Sequence, residues 1–524
     1  METTTPVPFA LPLIRLNVAT LVFLPIAFVL LLARVTRITK NQPVHRLPPS
    51  PRGLPVVGNL HQLGALPHRA LHALAASHGP IMLLQLGRVP TLVVSSAAAA
   101  REVLLVHDHA FANRPSLAVP TRLLYGCTDI AFAPNGAYWR RARKLAVLHL
   151  LSPARVRAYR RVREEEVSEL VRKVEEEQKL HGVVRLSELL SGFAKDVNGR
   201  IVLGVRASGG TGWRSKVDAL MEEANALLGA FHVGDYFPWL AWLAAVDGTD
   251  AKVGRAFERI DQILEEIIVA AGSADEMRDG RADGAPCGDE AFVHVLLSLQ
   301  SDSVGHGWRF SRDNVKALLE DLFGAGTDST IIVLEWVMAE LLRNKGAMQK
   351  LQQEIRRHST NSADHYLIVT EQELPAMEYL RAVIKETMRL HPPGPLLIPR
   401  ESMQHRRVDC YDVPRRTRII VNAWAVGRDP AAWDGADEFR PERFVGSEVD
   451  FRGRHPQLIP FGAGRRMCPG VGFTAAVVEL ALTNLLGRFD WEIPPSDVVD
   501  MEEAPGITSR KRMPLCAVAA HPAE

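Results

Sequence analysis

The chain has 524 residues, of which 47% are hydrophobic and 23% are charged. This composition excludes an intrinsically disordered chain, a collagen-like chain and a small disulfide-stabilised protein. Lysine and arginine number 62, and aspartate and glutamate number 60, which argues against nucleic acid as a partner. The five cysteines are scattered and odd in number, so they predict a reducing compartment around the folded part rather than a disulfide framework.

An uncharged apolar segment lies near the N-terminus. Residues 16–33 are long enough to cross a bilayer core of about 30 Å. Arg34, Arg37 and Lys40 follow directly, and this basic excess predicts that the rest of the chain stays in the cytosol. The alternative is a cleaved signal peptide, which the length of the segment and the missing small-x-small cleavage pattern disfavour. We therefore predict an uncleaved, single-pass membrane anchor over residues 1–33.

A proline-rich segment separates the anchor from the main body. Prolines fix φ and remove hydrogen-bond donors, so the run LPPSPRGLP predicts a stiff, extended piece within a basic hinge over residues 34–60. Beyond residue 60 there is no second linker of this kind, and helical periodicity dominates. Short strands are predicted at residues 81–86, 91–94 and 418–421. We predict one large domain over residues 61–524, mainly α (α+β), with a minor sheet.

A glycine-rich loop with one cysteine carries the most specific pattern of the chain. The segment FGAGRRMCPG, from Phe461 to Gly470, leads into an apolar helix predicted over residues 471–488. Glycines let the backbone approach a flat group closely, and the N-terminus of a helix favours a thiolate. A thiolate at Cys468 is a suitable axial ligand for haem iron, and Arg466 is placed to reach an anionic group on the same ligand. A lone loop cysteine is more often an inert thiol, but the full spacing Phe-x-x-Gly-x-Arg-x-Cys-x-Gly is highly specific.

With this loop, the chain resembles the cytochrome P450 family of haem-thiolate monooxygenases over nearly all of its length. It is most similar to the microsomal plant enzymes of specialised metabolism. The resemblance implies the cytochrome P450 fold, in which a large helical domain with a small β-rich part surrounds the haem, behind one N-terminal transmembrane helix. It implies haem b, iron protoporphyrin IX, with Cys468 as the metal ligand. Around the haem it places Phe461, Gly464, Arg466 and Gly470.

A glutamate and an arginine on one helical face are assigned a structural role by the same resemblance. Glu386 and Arg389 are three residues apart, and alone they indicate a surface pair worth a few tenths of a kcal/mol. In the family, Glu386, Arg389 and Arg443 form a buried salt-bridge triad behind the haem. The triad is expected to hold the cysteine loop in place.

Four side chains are assigned to the haem propionates by the same resemblance. Trp139 and Arg143 lie one helical turn apart on one face, and Arg400 and Arg466 also match propionate-binding positions of the family. Arginine suits a carboxylate because its planar fork donates two parallel hydrogen bonds. The other basic residues of the segment 140–144 are expected to face solvent. They form either an ordinary solvated charge run or a docking surface for an acidic reductase.

A long segment that is apolar on nearly every face, residues 317–343, predicts a helix buried at the centre of the domain. Inside it, Gly326 costs about 1 kcal/mol relative to alanine, and nearby hydroxyls can bond back to carbonyls four residues earlier. This pattern predicts a local opening or kink. A kink with no further purpose is one interpretation.

The resemblance gives this kink a function. It implies an oxygen-binding groove at Ala325 and Gly326, with an acid–alcohol pair, Asp328 and Ser329, that relays protons. The alcohol is usually threonine in the family, so Ser329 is a departure. Serine keeps the hydroxyl but loses the methyl group that restrains χ1, which would loosen the coupling of electrons to product. Thr330 is an alternative hydroxyl for the same task.

The substrate pocket is also drawn from the resemblance. It comprises Phe323 on the central helix, the turn Leu396, Leu397 and Ile398, and Ile507 near the C-terminus. These side chains are apolar, which favours a lipophilic small molecule of plant specialised metabolism, of indole, phenolic, oxime or terpenoid type. Core packing is the alternative for each residue taken singly.

The chain shows no electron-supplying module of its own. Residues 470–475 match the dinucleotide fingerprint formally, but they lack the preceding strand and the acidic residue that the fingerprint needs. We therefore expect NADPH and flavins to reside on a separate NADPH–cytochrome P450 reductase at the endoplasmic reticulum membrane. Residues 61–524 are then a cytosolic haem-thiolate domain that uses O2. The alternatives are a haem-thiolate isomerase or dehydratase that acts without O2 and reductase, and a non-catalytic haem or lipid carrier.

Overall fold

The structure is a computed structural model, and it divides the chain into residues 1–47 and residues 48–524. The described residues are 46–206, 216, 223–279, 290–302, 310–359, 369–495 and 497–522. The predicted anchor over residues 1–33 and residues 34–45 of the predicted hinge lie outside them. Within the hinge, Pro49 accepts a hydrogen bond from the backbone of Leu83, and Gly58 forms a bridge with Leu86.

Helices make up most of this unit, as the sequence predicts. The described α-helices are α1 Pro67–His78, α2 Ala97–Arg101, α3 Ala118–Leu123, α4 Ala137–Leu145, α5 Pro153–Ala158, α6 Arg160–His181, α7 Leu186–Asn198, α8 Leu243–Val246, α9 Thr249–Asp279, α10 Phe292–Asp302, α11 Arg312–Arg343, α12 Lys345–His358, α13 Glu378–Leu390, α14 Ala423–Val426 and α15 Val471–Arg488. Short 3-10 and π turns connect several of them. The predicted helix over residues 471–488 has the same bounds as α15.

The strands form one small sheet and two hairpin-like pairs among the described residues. They are β1 Ile81–Leu86, β2 Val89–Val94, β3 Arg400–Glu401, β4 Arg406–Val408, β5 Tyr411–Val413, β6 Arg418–Val421, β7 Asp490–Glu492 and β8 Val518–Ala520. The larger sheet has the order β1-β2-β6-β3, in which only the β2–β6 pair is parallel. The mainly α prediction with a minor sheet is therefore confirmed.

The central helix α11 begins earlier than predicted, because Ser311 caps it. The Ser311 hydroxyl accepts from the Asn314 backbone, and the Asn314 side chain accepts from the Ser311 backbone, a reciprocal cap that satisfies free N–H groups. The helix is continuous through Gly326, where the sequence predicts a local opening. It packs against α7, α13 and α15 at the centre of the core.

Two helices of the described part, Arg312–Arg343 and Val471–Arg488, are long and apolar enough to cross a membrane. Length and composition alone give this result. Most of each helix is buried inside the protein, which is typical of core helices.

Candidate active site

The cysteine loop places one sulfur at an accessible point deep within the fold. The Cys468 backbone donates to the Phe461 carbonyl at 2.9 Å, and the Gly470 N–H donates to Cys468 Sγ at 3.4 Å. Cys468 is accessible although protein surrounds it, as expected for a side chain that lines an internal cavity. Burial raises the pKa of this thiol, against the smaller opposing effects of the Gly470 N–H and Arg143. A cation at the sulfur, such as a metal ion, would favour the thiolate.

The glycines of the loop fit tightly against neighbouring parts of the chain. Gly464 has φ of +69°, and a Cβ there would lie 2.2 Å from the Leu104 carbonyl oxygen and 2.5 Å from Asp108 Oδ1. The close packing against Leu104 and Asp108 therefore requires glycine at position 464, whether or not a ligand also lies close to it. A Cβ at Gly470 would lie 3.7 Å from Cys468 Sγ, so a side chain there would begin to cover the sulfur. The ring of Phe461 packs against Phe451, with centroids 5.3 Å apart.

Arginines converge beside this loop, each bound to backbone carbonyls. Arg466 donates to Ala112 at 2.8 Å and to Ala133 at 2.7 Å. The other contacts are Arg400 to the Ala463 carbonyl at 2.8 Å and to Asp108 Oδ1 at 3.1 Å, Arg143 to the Met467 carbonyl at 2.6 Å, and Arg114 to the carbonyls of Ala131 at 2.7 Å and Ile398 at 2.6 Å. Arg114 is a member of this arginine cluster that the sequence analysis did not single out.

The electrostatics of the arginine cluster test whether a dianionic ligand fits. Burial and the neighbouring guanidinium groups of Arg400 and Arg143 lower the pKa of Arg466 to about 9. Burial also lowers the pKa of Arg114, and Arg400 and Arg466 add to this effect. The cluster thus holds more positive charge than its own carboxylates balance. The two propionates of a haem would supply the missing negative charge, so the residues present fit this group.

Trp139 supports the cluster through its ring rather than through its N–H group. Its Nε1 donates to the Ile130 carbonyl at 3.1 Å. The Arg466 guanidinium carbon lies 3.9 Å from the centroid of the Trp139 ring, a close cation–π contact. The resemblance implies a direct role for Trp139 toward a propionate, whereas here the indole N–H is bound within the protein.

Glu386, Arg389 and Arg443 form a fully connected ion-pair group. Arg389 Nε and Nη2 donate to the two Glu386 oxygens at 2.7 and 2.8 Å, and Arg443 Nε donates to Glu386 Oε1 at 3.0 Å. The side chains of Glu386 and Arg389 have no accessible surface, and that of Arg443 is 7% exposed. Arg389 also donates to the carbonyls of Gly427 and Glu438. The group therefore ties α13 to the segment that precedes the cysteine loop.

Between Phe323 and Thr330, the central helix has one exposed residue. Within this stretch Ala325 is exposed, Ser329 is half-buried, and Phe323, Asp328 and Thr330 are buried. An exposed alanine in the middle of a core helix indicates that this face borders an internal cavity.

Two of the three hydroxyls of this region bond to the helix itself, while the buried Thr327 hydroxyl has no hydrogen-bond partner in the described part of the chain. Ser329 donates to the Ala325 carbonyl at 2.8 Å, and Thr330 donates to the Gly326 carbonyl at 2.7 Å. These back-bonds form without breaking the helix. Gly326 has a packing role, because a Cβ there would lie 2.9 Å from Asn198 Oδ1 on α7.

The Asp328 carboxylate has a partner that the sequence analysis did not foresee. Arg510, close to the C-terminus, donates through Nη2 to Asp328 Oδ1. The other oxygen, Oδ2, is buried without a hydrogen-bond partner in the described part of the chain. No local pattern links residues so far apart in sequence.

One segment connects the central helix to the arginine cluster. Asp321 on α11 accepts from the backbone N–H groups of Ile130 and Ala131 at 3.0 and 3.1 Å. Arg466 donates to the Ile130 carbonyl at 3.3 Å on the other side. Residues 130 and 131 thus link α11 to the arginine cluster, and the Asp321 carboxylate is also one of the charges that act on Cys468. Sequence reasoning missed Asp321, which has no motif of its own.

The predicted pocket residues lie in three different packing environments. Leu396 packs against the apolar side chains of β1 and β2, Leu397 against the cluster around β6, and Ile398 against the main helical core. All three are half-buried, as is Ile507, whereas Phe323 is buried in the helical core. Leu397 has φ of +52°, an uncommon conformation for a leucine that indicates a constrained turn. A Cβ at Gly229 would lie 3.0 Å from the Ile507 backbone nitrogen, so the backbone of Ile507 packs closely against the segment near residue 229.

Comparison with known proteins agrees with this geometry. The sequence model of the family described as Cytochrome P450 matches residues 48–516. The chain belongs to the cytochrome P450 family. It is 45% identical to "Cytochrome P450 71A1" of Persea americana over 88% of this chain and 91% of that protein. It is 43% identical to "Norfluorocurarine oxidase" of Strychnos sp over 90% of this chain and 93% of that protein.

Solved structures show the same fold. One zebra fish cytochrome P450, described with progesterone, has a TM-score of 0.71 and 25% identity, covering 87% of this chain and 99% of that one. The predicted cytochrome P450 fold is therefore confirmed. The protein is an oxidoreductase of the plant P450 monooxygenase type, and haem is its cofactor, with electrons from a reductase.

Proposed function

We propose that this protein is a membrane-anchored, reductase-dependent monooxygenase that oxidises a lipophilic small molecule of plant specialised metabolism. The observation that carries the proposal is the position of Cys468. Its accessible sulfur lies beside an arginine cluster with excess positive charge, and residues 129–133 connect this cluster to a core helix with an open face. Cys468 would hold the haem iron, and Arg114, Arg400 and Arg466 would hold the propionates. When bound, haem supplies the reduction of O2 and the transfer of one oxygen atom to the substrate.

The reaction consumes protons, and α11 is equipped to deliver them. Each turnover takes O2, two electrons and two protons and yields oxidised substrate and one water. The buried Asp328 Oδ2 has no hydrogen-bond partner in the described structure and is the atom on which a proton would be held. Rotation about χ1 would turn the Ser329 hydroxyl from the Ala325 carbonyl toward the open face. Thr330 is buried, which favours Ser329 for this step.

The substrate would bind at the open face of α11, beside Leu396, Leu397, Ile398 and Ile507. These side chains are apolar and offer few hydrogen-bonding groups, so they favour a lipophilic molecule. The relative from Strychnos sp is named as an oxidase of norfluorocurarine, which supports an oxidation reaction for this chain too. We retain indoles, phenolics, oximes and terpenoids as the classes to test.

Exposed aromatic side chains support attachment of the catalytic domain to a membrane surface. Phe231 is 58% exposed, Trp239 50%, Trp242 61% and Val246 74%. Tryptophan and phenylalanine are favoured at the interface between lipid headgroups and acyl chains, and exposed apolar clusters of this kind mark interaction surfaces. With the anchor predicted over residues 1–33, this patch supports the endoplasmic reticulum membrane as the location.

A basic surface on α4 supports docking of the reductase. Arg140, Arg141 and Lys144 are exposed, while Trp139 and Arg143 on the same helix contact the arginine cluster and the cysteine loop. An acidic partner bound to this helix would therefore lie close to the haem. Electrostatic complementarity of this kind speeds association.

The carbon monoxide difference spectrum of the reduced, membrane-expressed protein tests the proposal. We expect a strongly red-shifted Soret band in the parent and in Cys516→Ser, and its loss in Cys468→Ser. A type-I spectral shift screen with indoles, phenolics, oximes and terpenoids then identifies the substrate class. An unchanged band in Cys468→Ser would overturn the ligand assignment. Turnover of a hydroperoxide without NADPH or reductase would favour the isomerase or dehydratase instead.

A further inference from the structure

The acid of the proton relay is held by an arginine from a distant part of the chain. Arg510 Nη2 donates to Asp328 Oδ1, and the two residues are 182 positions apart. The Asp328 side chain is only 4% exposed, whereas that of Arg510 is 40% exposed. A buried carboxylate without a counter-ion is strongly disfavoured, so Arg510 supplies the partner that this buried side chain needs. Within the described residues, Arg510 is the ion-pair partner that the structure gives to this carboxylate.

The two oxygens of Asp328 have different surroundings. Oδ1 is bound by Arg510, while Oδ2 is buried with no hydrogen-bond partner in the described part of the chain. The ion pair fixes the plane of the carboxylate and therefore fixes where Oδ2 points. The half-exposed guanidinium also places the solvent-facing end of the pair within reach of water, which is the source of protons.

Arg510 belongs to a turn whose base is firmly attached to the core. Ser509 Oγ donates to Glu503 Oε1 at 2.7 Å, and the Ser509 carbonyl accepts from Trp336 Nε1 at 2.7 Å. Trp336 lies on α11, two helical turns beyond Asp328. The Ala504 N–H donates to the Arg510 carbonyl at 2.8 Å and closes the turn. These hydrogen bonds therefore fix the position of the Arg510 backbone relative to α11.

The tip of the same turn reaches the proposed substrate pocket. Gly506 is exposed and Ile507 is half-buried, and the Ile507 backbone contacts the chain near Gly229. A proposed pocket side chain and the counter-ion of the relay acid are thus three positions apart in the same turn. A substrate that packs against Ile507 would act on the element that carries Arg510.

We propose that Arg510 is a positioning residue for proton delivery, which orients the Asp328 carboxylate and connects it to solvent. This inference rests on the proposed relay through Asp328. The relay moves protons only. A water proton is taken up at Asp328 Oδ2, passes to the Ser329 oxygen, and the Ser329 hydroxyl proton moves on to the O2 being reduced. The electrons come from NADPH through the reductase.

The test uses the full-length holoenzyme in membranes with NADPH–cytochrome P450 reductase and no added substrate. O2 leaves as hydrogen peroxide after two electrons and two protons, whereas its reduction to water takes four of each. The peroxide formed per NADPH therefore reports how well protons are delivered. The variants are Arg510→Gln, Arg510→Lys and Asp328→Asn. Arg512→Gln is the matched control, because Arg512 is 53% exposed and pairs with Glu502 and Asp500 away from the relay.

We expect Arg510→Gln and Asp328→Asn each to raise the peroxide fraction at least threefold and to enlarge the solvent deuterium isotope effect on NADPH consumption. Arg510→Lys, which keeps the charge, restores most of the parent value, and Arg512→Gln leaves it unchanged. The double variant Arg510→Gln/Asp328→Asn resembles Asp328→Asn. In thermal unfolding, the double variant loses less stability than the sum of the single losses, which reports the ion pair independently of turnover.

A parent-like peroxide fraction in Arg510→Gln, together with a raised fraction in Asp328→Asn, would overturn this inference and leave the relay standing. An unchanged fraction in Asp328→Asn would overturn the relay, and the role of Arg510 with it. If Arg510→Gln does not incorporate haem, the comparison of Arg510→Lys with Arg512→Gln decides. A peroxide fraction in Arg510→Lys as high as that of Asp328→Asn would then also overturn the inference, because the retained charge would fail to maintain proton delivery.

Discussion

Replacement of Glu386 by glutamine is expected to destabilise the fold severely, because one buried carboxylate serves two arginines. Arg389 Nε and Nη2 and Arg443 Nε donate to it, and so does the Arg440 backbone at 2.8 Å. Glutamine keeps one acceptor oxygen and removes the negative charge, so two guanidinium groups remain in the core with too few acceptors. Removing one partner of a buried ion pair costs about 3–5 kcal/mol. We expect a loss of about this size in the free energy of unfolding.

The chain offers a surface pair of the same geometry as a control. Arg172 donates to the two Glu169 oxygens at 2.7 and 2.8 Å, and these residues are also three positions apart on a helix. Their side chains are 38% and 25% exposed, so Glu169→Gln should cost about 0.3–0.5 kcal/mol. The two carboxylates thus differ in burial and in the second arginine that Glu386 also binds.

Urea titration of the holoenzyme, followed by tryptophan fluorescence, measures both losses under the same conditions. The reduced carbon monoxide spectrum, recorded in parallel, shows whether the haem site is retained. We expect the midpoint for Glu386→Gln to fall far below that for Glu169→Gln. If the two variants differ by less than about 1 kcal/mol, the triad does not carry the buried-pair energy assigned to it, and the reasoning is wrong.

Three further results are expected. Ser329→Ala should raise peroxide release per NADPH, and unchanged coupling would contradict its relay role. Burial raises the pKa of Glu479 to about 7, with Glu371 and Asp450 nearby raising it further and Arg381 and Arg452 opposing. The stabilising contribution of the protonated Glu479 side chain is therefore present below pH 4.5 and is lost as the pH rises through 7. We expect Glu479→Gln to raise the free energy of unfolding by about 2 kcal/mol at pH 8 and by little at pH 4.5. Unfolding measured at both pH values tests this difference. Deletion of residues 1–33 should shift the protein toward soluble fractions with the haem spectrum intact, and loss of the spectrum would indicate a structural role for this segment.

Several elements of this protein follow from local sequence alone. The bounds of α15 and of β1 match the predicted residues, because an apolar run after a glycine-rich loop and a short apolar run that ends at a glycine are short-range signals. The family could be predicted from the spacing of the cysteine loop, since that spacing involves ten consecutive residues. The start of α11 is harder to predict from the sequence, because it depends on the capping box at Ser311 rather than on the apolar pattern.

Only the tertiary structure revealed the partners of the charged groups. Arg114 joins the arginine cluster, the indole N–H of Trp139 turns to a backbone carbonyl, and Asp328 pairs with Arg510. Each contact joins residues whose separation along the chain carries no periodic signal. Their proximity depends on how helices and loops pack around the central helix, and burial then forces each charged or polar group to find a partner. The sequence by itself thus determined the family, while packing decided the electrostatic surroundings of the candidate site.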